Sequence, residues 1–209
     1  MTFGLSADAG MPMLALLDYA GLSVFALTGA LAAAAKRQTL VTFIFFALLT
    51  GTGGGTVRDL LIGAPVFWMH GNGVLLLCTG CALAVWALPS GFWSVRALDW
   101  LDAAGLAAYA VYGAAKGLAY GIAPIPAIGM GVLTACFGGI IRDVLAGEPS
   151  ILMRPELYVT AAALAASLFV GLAALGIPPL AAAAVAALCG FALRAGAIAR
   201  GWNLPAYRR

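Results

Sequence analysis

Two Arg-Asp pairs, Arg58-Asp59 and Arg142-Asp143, stand inside strongly apolar sequence, each a few residues beyond a glycine run. The first run is Gly53-Gly54-Gly55 and the second Gly138-Gly139. Ionisable side chains in apolar spans are costly to bury, and they mark routes for ions or protons or else lock helices together. Two more carboxylates, Asp18 and Asp102, precede these runs, and Lys116 lies in the apolar stretch after Asp102. Catalysis would need a nucleophile with a base, or a metal with its ligands. The single histidine, His70, and the absence of an acidic pair without an adjacent arginine argue against an enzyme. Cys78 and Cys81 have C-x-x-C spacing but lack further ligands nearby, so they read as small apolar residues, and no metal or cofactor is expected.

Each glycine weakens a helix by about 1 kcal/mol relative to alanine. Three in succession predict a helix that bends or opens, with freed carbonyls that must face protein or water. The competing reading is close helix packing, since Gly51 and Gly55 also form a G-x-x-x-G pattern. A nucleotide loop does not fit: Gly51-Thr52-Gly53-Gly54-Gly55-Thr56 matches neither phosphate-binding pattern.

These residues recur. One offset, 84, carries Asp18 to Asp102, Gly21 to Gly105, Gly29 to Gly113, Gly54 to Gly138, Gly55 to Gly139, Arg58 to Arg142, Asp59 to Asp143, Gly63 to Gly147 and Pro65 to Pro149, with no gap. Each copy sits in enough apolar sequence for three membrane crossings. An odd number of crossings inserts the second copy upside down, an arrangement that builds pathways through membranes.

The elements that position these groups follow from composition. Hydrophobic residues make up 64% of the 209 and charged residues 9%, against about 25% charged in soluble domains. The net charge of +3 comes without a basic cluster, so no nucleic-acid partner is expected. The first eight residues contain no Lys or Arg, unlike the start of a signal peptide. At about 20 apolar residues per crossing, spans are predicted near 14–35, 39–63, 72–88, 101–121, 125–147, 156–175 and 179–200. The fold class is therefore an all-α polytopic membrane protein. It comprises a first three-helix repeat (14–88), a second, inverted repeat (101–175), a seventh helix (179–200) and a basic tail (201–209). Prolines, Pro12 among them, fall at or beside the predicted ends, and aromatics such as Trp68, Phe92, Trp93 and Trp202 cluster there. Lys36, Arg37, Arg96, Arg154, Arg194, Arg200, Arg208 and Arg209 all fall on one side. The positive-inside rule then puts the C-terminus in the cytoplasm and the N-terminus outside.

Adjacent residues on a helix point about 100° apart, so each arginine is expected to find its partner elsewhere: Asp18 for Arg58 and Asp102 for Arg142. Lys116 has Ala32 as its counterpart and is expected deep in span four, snorkelling to the interface, meeting an anionic lipid or sensing voltage. Ser23, Thr28, Thr50, Thr52, Tyr109, Tyr112 and Thr134 concentrate the polar groups on spans one, two, four and five. Those four spans are expected to enclose a wet path, with spans three and six bracing it.

The doubled pattern, G-G-G-T-V-R-D-L-L-I-G-A-P-V-F-W and G-G-I-I-R-D-V-L-A-G-E-P, resembles the bacterial members of the trimeric intracellular cation channel (TRIC) family, whose superfamily includes glycine transporter domain proteins. The resemblance covers about residues 14 to 200. It implies a homotrimer in the bacterial plasma membrane, with one potassium-permeable pore per subunit, weakly selective over sodium and open to other monovalent cations. It also implies gating at kinked spans two and five. By the match, Gly53, Gly54, Gly55, Gly138, Gly139 and the two Arg-Asp pairs carry over as pore and gating residues, and Lys116 resembles a lysine linked with voltage or lipid sensing. The second break here, Phe137-Gly138-Gly139, has two glycines rather than three, so span five is expected to bend less. Acidic residues that adjoin arginines, with no cage of carboxylates, favour weak selectivity. The alternative is a secondary transporter of a small solute such as glycine, because broken helices in inverted repeats serve transporters equally well.

Overall fold

The computed structural model of the protein describes residues 7–89, 93, 96–205 and 207, with side chains from Asp18 onward. The predicted end marker Phe92 and the basic residues Arg208 and Arg209 lie outside the described residues. Seven helices carry the fold: α1 (Ala7–Ala35), α2 (Leu40–Leu61), α3 (Gly73–Ala87), α4 (Ala97–Ala119), α5 (Pro124–Ala146), α6 (Val159–Ala174) and α7 (Pro179–Arg200). Short 3-10 turns, Phe67–His70 and Ile151–Met153, precede α3 and α6. No strand is present among the described residues beyond one isolated bridge, Glu156 to Asn203.

The local causes are those of the sequence. Pro124 and Pro179 open α5 and α7 at the position where a missing N–H costs nothing. Gly63 and Gly147 take left-handed φ values of 68° and 66° just past α2 and α5, which a residue with a Cβ would resist. The turn that follows is the same in both copies: Ala64 N–H donates to Asp59 O (2.8 Å) and Glu148 N–H to Asp143 O (2.9 Å). One boundary moved: α1 begins seven residues before its predicted start and carries Pro12 in its interior rather than at an end. At 1.5 Å per residue, α3 and α6, with 15 and 16 residues, fall short of a hydrocarbon core about 30 Å thick. The last 18 residues of α1 and the whole of α2, α5 and α7 are long and apolar enough to cross it.

Packing divides the helices into a ring and its flanks. α1 packs on α2, α2 on α5, α5 on α4, and α4 back on α1, closing a four-helix ring. α3 leans on α1 and α2 from outside, and α6 leans on α4 and α5. α7 covers α6 and α4.

The glycine runs are not breaks. α2 continues as α-helix through Gly51–Gly55, and α5 through Gly138–Gly139. They serve approach instead. A Cβ on Gly54 would collide with the carbonyl of Thr134, and one on Gly138 would lie 2.6 Å from the carbonyl of Thr50. Thr50 and Thr134 are themselves repeat partners, so α2 and α5 cross antiparallel with matching contacts on both sides of the crossing.

The same correspondence governs the other ring contacts. Gly29 faces Phe46 O and Thr50 Oγ1, while Gly113 faces Met130 O and Thr134 Oγ1. Gly21 lies under the ring of Tyr109, and Gly105 under that of Phe25. These two aromatic rings, 84 positions apart, meet with centroids 5.3 Å apart. Phe25, Tyr109, Thr50 and Thr134 are sealed from solvent, so the centre of the ring is closed in this conformation.

Candidate functional site

Charge collects at the two ends of the α2–α5 crossing. At the C-terminal end of α2, Arg58 turns back on its own neighbour: Nε donates to Asp59 Oδ1 at 2.8 Å. Its Nη2 lies 2.7 Å from the same oxygen, in ion-pair contact but off the hydrogen-bond axis. The guanidinium sits 4.7 Å from the Tyr112 ring centroid and 5.9 Å from that of Phe67. Lys116 Nζ donates to Asp59 Oδ1 at 2.8 Å, and Asp59 Oδ2 accepts the backbone N–H of Phe67 at 3.0 Å. Asp59 thus gathers two cations and a turn, while both it and Arg58 are fully buried.

At the C-terminal end of α5, Arg142 Nε donates to Asp143 Oδ1 at 2.9 Å and Nη1 to Asp102 Oδ1 at 2.5 Å. Asp143 Oδ2 accepts the N–H of Ile151 at 2.8 Å. Ile151 is the repeat partner of Phe67, so both aspartates clamp equivalent turns. The two clusters differ in balance. The first has two cations on one aspartate, and the second has two aspartates on one arginine.

An open cavity of about 140 Å³ adjoins the second cluster. Lys36, Asp99, Arg142, Asp143, Glu148 and Arg154 line it. Lys36 and Glu148 meet across it at 2.5 Å, with side chains 39% and 48% exposed. Glu148 lies in the connection beyond α5, and its carboxyl is held below its ordinary pKa of 4.5 by the Lys36 hydrogen bond and charge.

Measured against the expectations, Asp102 and Arg142 do pair. Asp18 and Arg58 do not: Arg58 engages Asp59, and Asp18 Oδ1 has no protein partner. The 100° argument failed because an arginine side chain is long enough to curl back across one residue. Lys116 is neither deep in its helix nor free. It occupies the last turn of α4 and points at Asp59. Arg194, counted with the basic residues of one side, is buried within α7 and ion-paired with Glu156. Ser23 bonds back to Tyr19 O, Thr52 to Leu48 O and Thr134 to Met130 O, all within their own helices. Thr50 and Thr134 stand at the crossing, with the hydroxyl of Thr50 unpartnered. No cluster that could hold a metal, and no disulfide, occurs among the described residues.

The sequence reading overlooked Phe25, although its 84-residue relation to aromatic Tyr109 was visible. It also overlooked Glu148 and Glu156, acidic residues in loops whose partners lie 112 and 38 positions away.

A ring of four helices flanked by three more, duplicated and inverted about one crossing, with buried ion clusters at both ends, defines a multi-pass membrane protein of the channel-and-transporter type. The comparisons narrow this. A family model described as Glycine transporter matches residues 15–90 and again 99–174, the second match displaced by the same 84 positions. The chain is 39% identical over 155 residues to a UPF0126 membrane protein of Vibrio cholerae, covering 71% of this chain. It spans only 64% of that relative's length. It is 36% identical over 148 residues to the UPF0126 inner membrane protein YadS of Escherichia coli, covering 69% of this chain and 72% of that one. Among solved structures it is similar to the TRIC trimeric intracellular cation channel orthologue from Rhodobacter sphaeroides, with TM-score 0.84, 42% identity, and coverage of 91% of this chain and 99% of that one. A prokaryotic TRIC channel crystallised in 0.5 M KCl gives TM-score 0.84 at 28% identity, with 93% and 100% coverage. The chain belongs to this family, the bacterial TRIC and glycine-transporter membrane proteins, and is a multi-pass protein of the bacterial inner membrane.

Proposed function

We propose that the protein is a passive channel for monovalent cations, potassium among them, assembled as a homotrimer with one conduction path in each subunit. The observation that carries this reading is the ring of α1, α2, α4 and α5, closed at its centre by Gly54–Thr134 and Gly138–Thr50 contacts and flanked at each end by a buried ion cluster. The solved relatives named as TRIC cation channels, at 42% and 28% identity, support it. The sealed crossing corresponds to the closed state, and gating separates α2 from α5 at Gly53, Gly54, Gly55, Gly138 and Gly139. In the open state Thr50, Thr52, Thr134 and the carbonyls at the crossing face the ion, with Ser23 nearer one mouth. Asp18, Arg58, Asp59 and Lys116 set the potential at one mouth, and Asp102, Arg142 and Asp143 at the other. Lys36, Arg37, Arg96, Arg154 and Arg200 share one side, which supports a cytoplasmic C-terminus and an external N-terminus. The two repeats, 14–88 and 101–175, then face the membrane in opposite senses, with 179–200 and the tail 201–209 added. Lipids cover the outer faces of the trimer.

The experiment is planar-bilayer recording of the purified protein in asymmetric potassium and sodium solutions. Discrete unitary currents whose reversal potential shows that cations, and not anions, carry them support the channel. Intact trimers that pass no current at any voltage overturn it. The family model's description, Glycine transporter, favours one second reading, a carrier of a small zwitterion. Saturable glycine uptake by vesicles without unitary currents establishes that instead.

A further inference from the structure

We propose that Arg194 is a positioning residue for the connection between α5 and α6, the stretch of chain that walls the cavity at the second cluster. The proposal rests on the conduction reading for its consequence but not for its geometry. α7 lies outside the repeat, yet it carries a guanidinium that is 1% exposed. Its Nη2 lies 2.7 Å from Glu156 Oε2, and its central carbon 5.3 Å from the ring centroid of Tyr158. Nε and Nη1 donate no hydrogen bond to protein, so Glu156 and Tyr158 are the side chains that this guanidinium directly engages. A planar guanidinium bonds a carboxylate and stacks on an aromatic ring with little loss of geometry, which an ammonium does not.

Both partners sit at the α6 end of the connection, and the chain after α7 secures the same place. Asn203 bridges Glu156, and Leu204 N–H donates to Pro155 O at 2.6 Å. The other end is tied by Ile151 N–H to Asp143 and by Lys36 to Glu148. Between these ties, Glu148, Ile151 and Arg154 form the cavity wall. The stand-off of that wall is therefore set from outside the repeat, by α7. In the first repeat the counterpart of Tyr158 is Val74, in the first turn of α3, and no helix among the described residues packs over α3 as α7 packs over α6. Arg194 thereby makes one mouth of the path different from the other.

The test uses the full-length protein reconstituted in lipid, with hydrogen–deuterium exchange as the first readout. In R194M, which replaces the charge by an apolar side chain of similar length, exchange over residues 148–156 is expected to rise about tenfold or more. The helices and the melting temperature should stay close to wild type. R194K is expected to restore protection in part, and the swap R194E/E156R to restore it largely. Unchanged exchange in 148–156 overturns the proposal. So does an increase spread equally over α5, α6 and α7 that the swap does not repair, because that is the signature of packing alone. Bilayer recording is the second readout: R194M is expected to change the fraction of time open while leaving unitary current unchanged, and an altered unitary current with an unaltered open fraction overturns the proposal. If wild type passes no current, the conduction reading fails while the exchange result still decides the role of Arg194.

Discussion

Gly54 leaves no room for a methyl group beside the backbone carbonyl of Thr134, and its repeat partner Gly138 stands in the same relation to the carbonyl of Thr50. A carbonyl in a helix cannot swing aside as a side-chain tip can. G54A and G138A are each expected to destabilise the fold by about 1–3 kcal/mol, read as a drop in melting temperature in detergent. G53A meets only the flexible Cδ1 end of Ile141 and should cost clearly less. Equal losses in all three variants would show that glycine content, and not this crossing, sets the stability.

Asp59 answers to both Arg58 and Lys116. Neutralising it in D59N strands two cations, one of them wholly buried, and losing one partner of a buried pair costs on the order of 3–5 kcal/mol. K116M leaves Asp59 with Arg58 and should be milder. The check is thermal unfolding of the two variants side by side, with D59N falling well below K116M.

Arg142 bridges Asp102 and Asp143, so the three should behave as a unit. A double-mutant cycle with D102N and R142Q is expected to show coupling of about 1–3 kcal/mol. The same cycle on Asp18 and Arg58 should give a smaller coupling, because no direct ion pair joins them.

Lys36 and Glu148 form an exposed pair whose carboxyl pKa is depressed by the lysine. A carboxyl with a folded pKa below its unfolded value adds stability that is full above the unfolded value and is lost as pH falls through the folded one. The difference in melting temperature between wild type and E148Q should thus be constant near neutral pH. It should shrink only below the ordinary value of 4.5. Salt near 1 M, where charges are screened within about 3 Å, should also reduce it. A difference that instead grows in acid would show that Lys36 is not the cause.

Much of this was legible in the residues. The 84-residue register exposed the duplication because its markers, Gly, Arg, Asp and Pro, are residues that helices in lipid tolerate poorly. Seven helices followed from apolar length and proline position. The Asp102–Arg142 pair followed from the need of an arginine in an apolar span for a carboxylate on another helix. What escaped was whatever depends on side-chain reach. Arg58 and Arg142 each curl onto the next residue, and Lys116 spans from α4 to α2, choices that periodicity cannot see. The glycine runs stay within continuous helix, with a neighbouring backbone carbonyl where a side chain would stand, which the weakness of glycine in an isolated helix does not report. Arg194 was counted by its nearness to the C-terminus, which says nothing of a glutamate in a distant loop.

One difference between the halves remains. Where α4 carries Lys116, α1 carries Ala32, so at one end of the crossing an aspartate holds two cations, and at the other an arginine holds two carboxylates. One lysine without a counterpart is thus enough to make the two ends of a duplicated ring chemically unlike.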